Sequence, residues 1–270
     1  MTTAKDSAAL FGEDHATPNE FAMHGLASGR VWCALSVGGP KVLVRKADDP
    51  QPNEDALCVA ETDAWVLLAV ADAHHGVEAS HAWIDAIAER VEAHRGAAPS
   101  ADDLWSIVAT PTPPLPQPEG RTSTAVATLR SESTLLALVV DRRRGEVRGV
   151  SLGDSSAVVV GLDRGAQILT RPAPLYASPD DAGALARARF QSFSAPVSPG
   201  ELVLVYTDGV NECEYGNPAT SIGPSHLESV WIRSAGDTER FVEGLMRLAL
   251  SGVDGHPGGE DNIAVAAARV

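Results

Sequence analysis

In VLLAVADAHHG, residues 66–76, an apolar run ends on Asp72 and is followed at once by Ala73, His74 and His75. An acid beside two imidazoles at the end of a buried segment can hold a cation, move a proton, or do both. Similar placements recur along the chain. Asp55 precedes the apolar run LCVA, Asp154 lies between two apolar segments, Asp208 ends LVLVYT, and Asp261 opens the last apolar stretch. An isolated buried carboxylate is costly, and several together are tolerable mainly when they ligate a cation. Carboxylate oxygens suit hard divalent ions, magnesium or manganese rather than zinc. Gly153 before Asp154, Gly209 after Asp208 and Gly258-Gly259 ahead of Asp261 let backbone or solvent approach each acid.

Taken singly, each of these residues has a plainer reading. Asp-Gly after a strand is usually a turn, Gly153-Asp154-Ser155 reads equally well as a hairpin turn, and lone histidines are more often hydrogen-bonded surface groups than catalysts.

The elements that must carry them are mostly strands. VWCALSV (31–37), AWVLLAVA (64–71), TSTAVATL (122–129), STLLALVVD (133–141), EVRGVSL (146–152), SAVVVGL (156–162), AQILT (166–170), ELVLVYT (201–207) and NIAVAAARV (262–270) are short, β-rich and separated by turn residues. Tight turns at 143–145 and 162–165 imply antiparallel pairing. Helical spacing predicts helices over 77–95 and 237–251, the second capped by Asp237, with shorter ones near 101–108 and 180–190. TPTPPLPQPEG (110–120) predicts an extended loop. Residues 1–28 read as a tail or cap ahead of one domain spanning 29–270. The expectation is an α+β fold, two packed sheets covered by helices.

Composition narrows the function. The balance of 21 Lys+Arg against 36 Asp+Glu, a net charge of −15, opposes nucleic-acid and anionic-membrane binding and tolerates a cation site. Three cysteines without metal spacing argue against a disulfide framework and for a reducing interior. No apolar run reaches membrane-span length, so the expectation is a cytoplasmic protein.

Six segments in order, PNEDAL (52–57), VADAHHG (70–76), TSTAV (122–126), LGDSSAVV (152–159), YTDGV (206–210) and GGEDNIAV (258–265), resemble the successive motifs of metal-dependent protein phosphatases of the protein phosphatase 2C type. The resemblance covers about residues 40–270. It implies an αββα sandwich of two antiparallel sheets and an enzyme that hydrolyses phosphoserine or phosphothreonine by attack of a hydroxide bridging two Mn2+ or Mg2+ ions, with a possible third ion. It further implies that Asp72 bridges the metals, that the Ala73 carbonyl completes one shell, and that Asp208 and Asp261 are direct ligands. The same resemblance implies that Glu54 and Asp55 act through metal-bound water, that Asp154 helps hold the third ion, and that His74 protonates the leaving alcohol. The implied partner is a phosphoprotein, set against a serine/threonine kinase or its targets as in bacterial members of the family, with the chain monomeric.

Three departures from the family pattern stand out. Pro50 occupies the place of the arginine that grips the substrate phosphate, leaving Arg45 and Lys46 as the candidates for that task. Ala73 and His75 replace glycines, which predicts a shifted backbone. PAPLYASP (172–179) lacks the family's usual acid and histidine. These keep a second reading open, a phosphatase fold serving as a phosphoprotein-binding or regulatory module with little turnover. A calcium-binding structural domain, the third, lacks any loop of closely alternating acids.

Overall fold

A computed structural model of the chain describes residues 6–47, 51–91, 98–109, 130–178, 189–214, 217 and 221–270. Thirteen strands lie in these residues: β1 (Asp6–Phe11), β2 (Ala22–Gly25), β3 (Val31–Ser36), β4 (Asp55–Glu61), β5 (Trp65–His74), β6 (Glu132–Ser133), β7 (Leu135–Asp141), β8 (Glu146–Leu152), β9 (Ser156–Gly161), β10 (Gly165–Ile168), β11 (Gln191–Pro196), β12 (Leu202–Tyr206) and β13 (Ile263–Arg269). The helices are α1 (Pro40–Arg45), α2 (Glu78–Val91), α3 (Ala101–Ala109), α4 (Pro224–Arg233) and α5 (Thr238–Ser251).

One sheet runs β1-β4-β5-β7-β8-β11, with β6 on the tip of β5; the other runs β10-β9-β12-β13-β3-β2. Every pairing among the described strands is antiparallel. Strand period 2 sorts the side chains into layers. Leu57, Val59, Val66, Leu68 and Val70 of the first sheet meet Val203, Val205, Ala264 and Ala266 of the second between the sheets. The opposite face of the first sheet packs on α2 through Trp83, Ile84 and Ile87, and the outer face of the second packs on α5 through Phe241, Leu245 and Met246. The result is the expected four-layer αββα sandwich. No described helix is long and apolar enough to cross a membrane.

Most expected strands are present with ends shifted by a residue or two, and Asp237 caps α5 by accepting the Arg240 backbone N–H at 3.0 Å. TSTAVATL, the proline-rich loop and most of 180–190 lie outside the described residues. The structure corrects the reading of residues 1–28 as tail or cap: Asp6–Phe11 and Ala22–Gly25 are edge strands, one in each sheet. An edge strand needs few apolar residues, and the half-exposed alternation of DSAALF and the four-residue AMHG give little periodic signal. The same reasoning accounts for the unexpected edge strand β11. The six residues of α1 are too few to show a period.

Candidate metal centre

The layer between the sheets is apolar until its end at β4 and β5. Asp55 stands opposite Asp72 in the antiparallel register, on the same face as Leu57 and Val70. From the second sheet, Thr207 and Asn262 extend the inward faces of β12 and β13 in the same way. The apolar filling is thus replaced by acids and their hydrogen-bond partners where both sheets run out. Thr207 Oγ1 donates to Asp55 Oδ2 at 2.7 Å, whereas Asp55 Oδ1 is buried without a partner.

The remaining acids arrive from loops made possible by small residues. Asp208 begins a 3-10 turn, Asp208–Val210, where a Cβ on Gly209 would meet the Asn262 carbonyl oxygen at 1.9 Å; only glycine lets the Asp208 and Asp261 segments approach so closely. Gly153, at φ 104°, turns the chain so that Asp154 enters the same space. Ligand oxygens of Asp72, Asp154 and Asp208 lie within 4.8 Å of one another, as do those of Asp208, Glu212 and Asp261. Asp208 is common to both groups, where the resemblance makes Asp72 the bridge. Glu212 was missed in the sequence, although its place four residues after Asp208 was a usable signal.

Glu54 points the other way, toward α2. It accepts from the Gly76 backbone N–H and from Lys46 Nζ, each at 2.5 Å. Lys46 Nζ also donates to Asn262 Oδ1 at 2.6 Å, and that oxygen takes the Glu54 backbone N–H at 3.0 Å. Asn262 Nδ2 in turn donates to the Val37 and Pro52 carbonyls. Lys46 is therefore an internal counter-charge that ties β4 to β13. Arg45 pairs with Asp261 at 2.6 Å and keeps a third of its side chain exposed.

Electrostatics set the cost of holding these groups together as carboxylates. Burial pushes the Asp55 carboxyl up to about 8, with Asp208 and Asp261 adding repulsion against the help of Thr207 and Lys46. Burial and neighbouring carboxylates also raise Asp72 and Asp208 well above the usual range, and burial raises Asp154. For Lys46, burial pulls downward, but Glu54, Asp261 and Asp72 outweigh it and hold the ammonium above its ordinary value.

His74 is the last residue of β5, about half exposed, with Nδ1 4.0 Å from Asp72 Oδ1. Ala73 is buried in β5 opposite Ser133, and its φ is not positive, so alanine costs nothing there. The shift predicted from the lost glycines falls on His75 alone, at φ 65°.

The profile of the Stage II sporulation protein E (SpoIIE) family matches residues 120–270, more than half of the chain. The chain belongs to the SpoIIE family. The matched span of this SpoIIE-family chain holds Asp154, Asp208 and Asp261, while Glu54, Asp55, Asp72 and His74 lie ahead of it. Among curated proteins none matches. Among solved structures, the chain is similar to the Mycobacterium tuberculosis serine/threonine phosphatase PstP/Ppp, at 14% identity and TM-score 0.58 over 93% of this chain and 98% of that one. The PstP catalytic domain in complex with two manganese ions gives 15% identity and TM-score 0.58 over 98% and 99%. The SiaA-PP2C domain of Pseudomonas aeruginosa gives 17% and 0.54 over 81% of each chain. At these identities the likeness is one of fold, that of protein phosphatase 2C-type phosphatases.

The residues present fit a divalent cation. The donors are all carboxylate oxygens, and Asp55 and Asp154 each keep a buried Oδ1 without a partner.

Proposed function

We propose that this protein is a metal-dependent phosphoprotein phosphatase acting on phosphoserine or phosphothreonine. The observation that carries the reading is the convergence of Asp72, Asp154, Asp208 and Asp261 from sequence-distant segments onto two three-acid groups that share Asp208, the second completed by Glu212. Like charges held this close, with their carboxyls forced upward, are stabilised most directly by hard cations. When bound, two such ions supply an activated water and neutralise charge on the phosphate. The chain's own residues then have distinct tasks. Asp72, Asp208 and Asp261 would hold the ions, Asp154 would hold a weaker one, and Glu54 and Asp55 would act at one remove. Lys46, turned inward, braces Glu54 and Asn262, so the phosphate grip falls to Arg45, whose guanidinium reaches the site at Asp261. His74 gives a proton to the leaving alcohol, a role supported by its half-exposed side chain 4.0 Å from Asp72. The partner is a phosphoprotein produced by a serine/threonine kinase.

The test is hydrolysis of p-nitrophenyl phosphate and of a phosphothreonine peptide with manganese, with Asp208→Asn as control. Turnover that needs manganese and is lost in Asp208→Asn is expected. Manganese binding by a folded chain that turns over neither substrate would favour a phosphoprotein-binding module instead. If His74 is the proton donor, His74→Ala slows the peptide far more than the aryl ester, whose leaving group needs no proton.

A further inference from the structure

The segment 171–177 departs from the phosphatase pattern, and it is anchored against the site at both ends. The Ala173 N–H donates to the Gly153 carbonyl at 3.0 Å, next to Asp154. Ala177 exchanges two backbone hydrogen bonds with Ser133, at 2.9 and 3.1 Å, and Ser133 is itself paired with Ala73. Tyr176, between these anchors, cannot swing far. Its ring lies 4.3 Å from the imidazole of His74, tilted by 38°, and its hydroxyl donates to Asp154 Oδ2 at 3.3 Å.

His74 has little else to fix it. Among the described residues its ring meets Asp72 Oδ1 at 4.0 Å and the His75 ring at 6.3 Å, without a hydrogen bond to either, and feels the charge of Asp154. Asp154 has a second oxygen, Oδ1, that is buried and without a partner, and its carboxylate faces the ligand atoms of Asp72 and Asp208. One side chain therefore touches both the candidate proton donor and a candidate cation ligand.

We propose that Tyr176 is a positioning residue of this centre: its ring sets the imidazole of His74 toward the substrate, and its hydroxyl holds Asp154 so that Oδ1 stays available to a cation that would bind with Asp72 and Asp208. The proposal rests on the phosphatase reading for its kinetic consequence, while the contact itself can be measured without turnover. The two functions belong to different parts of the side chain and can be separated. Tyr176→Phe keeps the ring and loses the hydroxyl; Tyr176→Leu loses both.

The first measurement is the NMR spectrum of the metal-free full chain, with the His74 imidazole protons identified by comparison with His74→Gln. They are expected upfield in the wild type and in Tyr176→Phe, under the Tyr or Phe ring current, and at unperturbed positions in Tyr176→Leu. The second is kinetic. In manganese, Tyr176→Leu should lose about three- to tenfold in kcat on a phosphothreonine peptide, the scale of one aromatic contact, and much less on p-nitrophenyl phosphate. Tyr176→Phe should keep the ratio between the two substrates and need several-fold more manganese for half-maximal rate. His74 protons that are unshifted in the wild type overturn the proposal, even if Tyr176→Leu does not fold. Equal losses on both substrates in a folded Tyr176→Leu overturn it too. A wild type whose His74 protons are shifted but which hydrolyses neither substrate sinks the phosphatase reading, and with it the kinetic role, while leaving the contact established.

Discussion

Replacing Lys46 by methionine should weaken the metal-free protein strongly and the manganese-loaded protein much less. The ammonium lies 2.5 Å from Glu54 Oε2 and 2.6 Å from Asn262 Oδ1, with its side chain 14% exposed, so water cannot easily take its place. Seven carboxyl groups, those of Glu54, Asp55, Asp72, Asp154, Asp208, Glu212 and Asp261, lie around the centre, with Lys46 and Arg45 as cationic side chains among the described residues. Breaking a buried ion pair by removing one partner costs about 3–5 kcal/mol, because the other charge stays behind. Methionine keeps most of the volume, so little of the loss comes from a cavity. Saturating manganese supplies the missing positive charge, and the residual loss, two hydrogen bonds to Glu54 and Asn262, should fall to about 1–3 kcal/mol. Urea unfolding with and without chelator, followed by the fluorescence of the buried Trp65, Trp83 and Trp231, gives both numbers. A loss of equal size in the two conditions would refute the idea that Lys46 balances the charge of the cation cradle.

The stability of the metal-free protein should fall as pH rises from the ordinary carboxylate range near 3.8 to about 8. Asp55, Asp72 and Asp208 bind protons more tightly folded than unfolded, so their contribution is present at low pH and lost through that window. Manganese binding should correspondingly tighten with pH and release protons, which calorimetry in buffers of different ionisation enthalpy will detect. Gly209→Ala drives a methyl into the Asn262 carbonyl, so it should destabilise by about 3 kcal/mol and abolish manganese stabilisation in a thermal melt. His75→Gly should stabilise by roughly 1 kcal/mol by relieving a left-handed backbone, and His75→Ala should leave hydrolysis little changed.

The acids at strand ends were legible because each breaks a period that physics otherwise enforces: Asp72 follows an uninterrupted apolar run, and Asp208 ends another. Gly153 and Gly209 were readable for the same reason, as small residues beside those acids. What one sequence does not carry is which loop meets which. Lys46 and Asn262 are 216 residues apart, and their contact depends on α1, a helix too short to announce itself. The expectation that Lys46 grips phosphate followed from its charge, and only the fold shows that charge turned inward. Tyr176 gave no signal, since an aromatic in a proline-bearing loop looks like surface until Ser133 and Gly153 pin it.

The pairing of β4 with β5 places Asp55 opposite Asp72 by counting seven cross-strand pairs back from the bend at Thr62, which is far from any acid of the centre. A side chain's face is fixed by parity, so deleting a single residue anywhere between Asp55 and that bend would rotate one carboxylate out toward α2 while its neighbour stayed in place. The hairpin thus works as a ruler. Alterations that leave its length even-handed should be forgiven at the distal end, and those that shift it by one notch should silence the centre without touching it.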